Sequence, residues 1–204
     1  KLGSPEMVGT FTLGFAVTAP VIMFANLRLR TILASDSNDE VNFSDYLSLR
    51  LLTTMTALLI IVILSFSLNL DESTLLVVLI IALAKSFEAM SDIYFGLLQK
   101  YEHMKRIALS MIMKSLYSIL LFGGLMYYTG SVVIALIGLS VAWCITLFSY
   151  DIKSPGYLCD QKETNNTELF NWKGKALRIN RHKFLILVSL AKKAAPLGMV
   201  ALLM

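Results

Sequence analysis

The sequence predicts an all-α polytopic membrane protein with at least five spans, and three observations carry that prediction. Apolar runs of about 18 residues or more recur along the chain, each long enough to cross the roughly 30 Å hydrocarbon core of a bilayer. Composition agrees, since 56% of the 204 residues are hydrophobic, 16% are charged and mean hydropathy is +0.69, outside the range of soluble domains. The basic residues gather in alternate connections between the runs, the pattern that orients helices in a membrane.

The first run, 7–27, is uncharged between Glu6 and Arg28 and contains Pro20 and the small residues Gly9, Gly14, Ala16 and Ala19, which permit close helix approach. It ends in Arg28 and Arg30. An acidic loop follows, and Asn42 to Asp45 reads as the cap of the next helix. The second run is 51–70, bounded by Arg50 and Asp71. The third, 73–99, stays uncharged to Ala84 and then admits Lys85, Glu88 and Asp92. The fourth, 107–128, carries one charge, Lys114, and the turn Thr129-Gly-Ser131 leads to an uncharged fifth run, 131–150. A polar stretch, 151–183, then precedes a last apolar run, 184–204. Connectors this short predict that neighbouring helices pack antiparallel.

Thirteen of the 18 Lys and Arg residues lie in one alternating set of connections, and only Lys1 lies in the other. The expected topology therefore puts the Arg28 to Arg50, Lys100 to Arg106 and 151–183 connections in the cytoplasm. Lys1, Asp71-Glu72 and Thr129-Gly-Ser131 fall on the opposite side. The chain starts at Lys1 and its last run is still apolar at Met204, so both ends are expected to be cut.

Charged residues inside apolar runs cost several kcal/mol to place in lipid and so are expected to face protein or a hydrated cavity. At 100° per residue, Lys85, Glu88, Asp92, Gly96 and Gln99 fall on one stripe, and Lys85 and Glu88 stand at pairing distance, i,i+3. Ser110, Lys114, Tyr117 and Ser118 form a second stripe. Lys192 and Lys193 begin a third. Each has a plainer reading: an internal ion pair for Lys85 and Glu88, a headgroup position for Asp92, and lysines that snorkel to the interface at 192 and 193. Lys114 has no carboxylate within a turn, which makes it the first candidate for a cation that faces substrate. Arg28, Arg30 and Arg50 read most simply as orientation signals.

Several function classes find no support. The basic residues form no aromatic-interleaved patch, which argues against nucleic acid. Gly-rich phosphate loops, HExxH and GxSxG are absent, and His103 and His182 lie in basic clusters, so neither catalysis, a cofactor nor a metal is expected. Cys144 and Cys159 have no metal or redox spacing. The segment 172–183 reads as a basic interfacial helix or as a plain loop.

The order of segments resembles a known family. Leu2-Gly-Ser-Pro-Glu-Met-Val-Gly9, Leu27-Arg-Leu-Arg30, Phe43-Ser-Asp-Tyr-Leu-Ser-Leu-Arg50 and Lys85 to Lys100 are similar in sequence and spacing to bacterial polysaccharide flippases. These are the O-antigen and capsule repeat-unit translocases of the multidrug/oligosaccharidyl-lipid/polysaccharide exporter superfamily. The resemblance implies two six-helix bundles around a central cavity. This chain would supply most of the first bundle (1–150), the cytoplasmic linker (151–183) and the start of the second bundle (184–204).

It further implies transport, by alternating access across the bacterial cytoplasmic membrane, of an undecaprenyl-pyrophosphate-linked oligosaccharide that is not cleaved. Lys114, Lys85 and Lys192 would contribute to a cationic cavity for the pyrophosphate while the lipid tail stays among membrane lipids, and Glu88 or Asp92 would couple transport to H+ or Na+. Two other readings stay open. One is a drug exporter or peptidoglycan-precursor flippase of the same superfamily; the other is a membrane-embedded glycosyl- or acyltransferase.

Overall fold

A computed structural model describes residues 4–36 and 41–155 of the chain. Lys192 and the runs 156–183 and 184–204 lie outside the described residues. Within them the chain is helical throughout, with no strand, and five helical stretches are long and apolar enough to cross a membrane. The polytopic all-α expectation therefore holds.

Helix α1 (Pro5–Ala25) starts as its sequence dictates, with Ser4 as cap accepting from the Met7 amide at 3.3 Å and Pro5 at the first helical position. It does not continue through the predicted run. Leu27 and Arg28 adopt left-handed backbone conformations (φ 47° and 49°), and a short helix α2 (Leu29–Ser35) leaves in a new direction. Left-handed conformation is unfavourable for residues with a Cβ, so this break needs support from elsewhere in the fold.

Helix α3 (Phe43–Ser67) begins well before the apolar run that predicted it, with Asn42 as its cap residue and Asp45 in its first turn. Asn69 turns the chain at positive φ into α4 (Glu72–Lys100), 29 residues long. The fourth span opens as α5 (Met104–Ser118), passes through a π-helical turn at Ile119–Gly123 and ends as α6 (Gly124–Thr129), closed by Gly130 at φ 61°. The fifth is α7 (Val132–Thr146), extended by a second π turn at Leu147–Asp151. Asp151, read from sequence as the first linker residue, is thus helical and buried.

Helix α4 is the hub, packing against α1, α2, α3, α5 and α7. Its Val77, Val78, Ile81 and Ala82 are sealed against α1, α3 and α7, while Ile93, Tyr94 and Leu97 pack with α2 and the start of α3. The outer faces of α3 and α5 carry exposed Leu59, Ile63, Ile112 and Leu116, the surface expected where lipid is the neighbour.

Glycine sets the closest approach in the bundle. A Cβ on Gly96 would stand 3.1 Å from both the Cα and the carbonyl oxygen of Arg30, backbone atoms that can yield only if α2 moves as a whole. Gly96→Val is therefore expected to destabilise the protein by about 1–3 kcal/mol through overpacking. Gly9→Ala, where nothing lies within 4 Å, should be neutral apart from a helix-propensity gain of up to about 1 kcal/mol. Thermal unfolding of the two variants in detergent checks the contrast.

Candidate functional site

The stripe predicted on α4 exists as a polar seam, but its partners come from four other helices. At its midpoint the Lys85 ammonium donates to Glu88 at 2.7 Å. The same ammonium lies 5.6 Å from the centre of the Phe15 ring on α1 and 5.5 Å from that of Trp143 on α7, within cation–π range. Trp143 is held in place by its indole N–H, which donates to Ser118 at 2.9 Å. The Lys85 and Glu88 side chains remain 25% and 48% exposed, so the seam is open here although the position is central in a spanning helix. Lys85 also walls a small crevice with Ile22 and Asn26 of α1 and Thr54 of α3.

Two turns further along α4, Asp92 sits between two guanidinium groups, Arg30 at 3.1 Å and Arg50 at 3.6 Å. Arg30 also donates from Nε to Gln99 at 3.1 Å. Arg50 is enclosed, with its side chain 1% exposed. Its Nε donates to the Ala89 carbonyl at 2.7 Å and its Nη1 to the Asn26 carbonyl at 3.0 Å. At the break after α1 the Asn26 carbonyl accepts both from the Leu29 amide at 3.1 Å and from the buried Arg50 guanidinium, so Arg50 ties the end of α1 to α3.

Sequence reasoning read Arg30 and Arg50 as orientation signals and so missed them. The available signal was the carboxylate count on α4: an Asp two turns inside a span requires a cation, and these arginines end one run and precede another.

Lys114 is not the unpaired cation that local spacing suggested. It is buried, and its Nζ lies 3.3 Å from Asp151, which Ser110 also contacts by donating its hydroxyl. The π turn at Leu147–Asp151 brings that carboxylate inward, because the extra residue in the turn rotates Asp151 relative to a regular helix. On its other side Lys114 faces the Phe95 ring at 4.9 Å, and Arg30 stands 5.6 Å from the same ring. The seam thus contains four cations (Arg30, Arg50, Lys85, Lys114) against three carboxylates (Glu88, Asp92, Asp151), a formal excess of one positive charge. The partly open members are Lys85, Glu88, Arg30 and Asp92; Lys114 and Asp151 are closed off.

Comparison with known proteins adds one relative. Over 158 residues the chain is 30% identical to the capsular polysaccharide biosynthesis protein CapF of Staphylococcus aureus. The match covers 78% of this chain and 38% of CapF, so the chain spans about two fifths of that relative's length. No family model matches the chain. No solved structure matches it.

Proposed function

We propose that the protein carrying this chain acts in bacterial polysaccharide synthesis, as a flippase for undecaprenyl-pyrophosphate-linked oligosaccharides in the cytoplasmic membrane. The observation that carries this reading is the partly open line of charges on α4 with the enclosed Arg50 behind it, which together hold three cations against two carboxylates. Charge within a span is stable only against protein or water, and the helices packed on α4 leave Lys85, Glu88, Arg30 and Asp92 partly open. A pyrophosphate that leaves water needs fixed cations. Arg30, backed by Arg50, supplies them; Lys114 acts behind Phe95 as a buried structural charge. The similarity to a capsular polysaccharide biosynthesis protein supports the pathway, and the absence of an enzyme motif in the sequence favours transport over transfer. Of the two carboxylates assigned to ion coupling, Asp92 is tied between arginines, whereas Glu88 has an open side where H+ or Na+ can exchange.

The test uses cells whose surface polysaccharide depends on this protein. Its removal should abolish surface polymer while lipid-linked repeat units accumulate in full-length form on the cytoplasmic face, shielded from externally added glycosidase. If the repeat units are instead incomplete, the transferase reading replaces this one. Arg30→Gln, at unchanged protein level, is expected to lower polymer export by about tenfold, the loss of roughly one charge-assisted contact.

A further inference from the structure

We propose that Lys85, Glu88, Phe15 and Trp143 form a saccharide subsite, which holds a neutral sugar ring of the cargo rather than its pyrophosphate. The inference rests on the flippase reading and assigns a part of the cargo to a place in the seam.

Three features separate this place from an anion site. First, its charge balances: one ammonium stands 2.7 Å from one carboxylate, so a pyrophosphate approaching Lys85 would meet Glu88 and be repelled. The Arg30, Arg50 and Asp92 cluster, with two guanidiniums on one carboxylate, has the opposite bias.

Second, the pair has hydrogen-bonding capacity to spare. A lysine ammonium has three donors and a carboxylate about four acceptor sites, and among the described residues the hydrogen bond these two side chains make is their mutual contact. A sugar hydroxyl both donates and accepts, so neighbouring hydroxyls match an adjacent ammonium and carboxylate better than an anion or an apolar ring does. Third, two aromatic rings from different helices flank the ammonium. The C–H bonds on the face of a pyranose carry slight positive charge and pack on the negative face of such rings. The Ser118 contact fixes the plane of Trp143, so the indole is already oriented before any ligand arrives.

The two sites also stand in a sensible order. Lys85 and Asp92 are separated by about 10 Å along the helix axis at 1.5 Å per residue. A lipid-linked oligosaccharide that places its pyrophosphate at Arg30 therefore has Lys85 within reach of its first sugars.

The full-length protein in lipid nanodiscs provides the test, with two probes: the lipid-linked repeat unit extracted from the producing strain, and undecaprenyl pyrophosphate without sugar. Trp143→Leu is expected to weaken binding of the glycan-bearing lipid by about tenfold and leave the bare lipid unchanged. Trp143→Phe should stay near the unsubstituted value, and Phe15→Leu, which removes the other ring against the ammonium, should repeat the selective loss if Trp143→Leu fails to fold. Equal weakening of both probes, or no change in either, would overturn the subsite and leave the transport reading standing. Failure of the unsubstituted protein to bind either probe would overturn both.

Discussion

Replacing Arg50 with alanine is expected to cost about 1–3 kcal/mol of stability, the range for polar groups that lose a buried hydrogen-bond partner. The cause is that three groups lose a contact together. Asp92 keeps Arg30 but loses Arg50, the Ala89 carbonyl loses a side-chain donor, and the Asn26 carbonyl keeps only the Leu29 amide. Arg50→Lys should recover little, because one ammonium cannot occupy the positions of Nε, Nη1 and Nη2 at once. Thermal unfolding of the full-length protein in detergent measures this. A melting temperature within a degree or two of the parent for Arg50→Ala would mean that the arginine does not tie the end of α1 to α3.

The second large effect concerns Lys114 and Asp151. Either Lys114→Ala or Asp151→Ala leaves a buried charge without its counterion, at a cost of about 3–5 kcal/mol. The double replacement Lys114→Met with Asp151→Leu is expected to recover most of that loss, since a buried ion pair exchanged for apolar side chains of similar size is often neutral or stabilising. A double-mutant cycle on unfolding temperature reads the coupling directly. The cycle also separates two roles for Lys114. If it is structural, the double variant regains polymer export along with stability; if it binds substrate, stability returns and export does not. The burial of the pair and its separation from the open part of the seam lead us to expect that both return.

The parts of the fold legible in the sequence were those set by solvent. The five runs are long, apolar and bounded by charges, and the corresponding helices follow. The Thr129-Gly-Ser131 turn was readable because Gly130 adopts the left-handed conformation glycine favours. The stripe from Lys85 to Gln99 was readable because helical periodicity fixes which residues share a face, whatever covers it.

What could not be read depended on partners distant in the chain. No glycine marks the break at Leu27 and Arg28; the end of α1 there is tied by Arg50, which reaches in from α3. The start of α3 was legible only through the cap signal at Asn42 to Asp45, because Asp45 and Arg50, buried by other helices, lower the hydropathy of its first turns. Asp151 looked like the edge of a loop because a charge ends the apolar run, while a π turn, which leaves no reliable trace in sequence, carries it inward. Lys114 looked unpaired because only carboxylates within a helical turn were considered. For the same reason, the seam was expected to be built from lysines, and its most connected cation is an arginine.

The hub position of α4 has a consequence for how the chain enters the membrane. Lys85, Glu88 and Asp92 would each oppose insertion by about 2.5–3.5 kcal/mol if α4 met lipid alone. It does not meet lipid alone, because Arg30 and Arg50 are synthesised before it, and Asp92 finds both counterions already made. The fourth span has no such advantage. Lys114 leaves the ribosome well ahead of Asp151, and at the usual speed of synthesis it waits on the order of seconds for its partner. During that interval α5 is best served by remaining beside the insertion machinery, so the fourth and fifth spans should be released into the bilayer together as a helical hairpin.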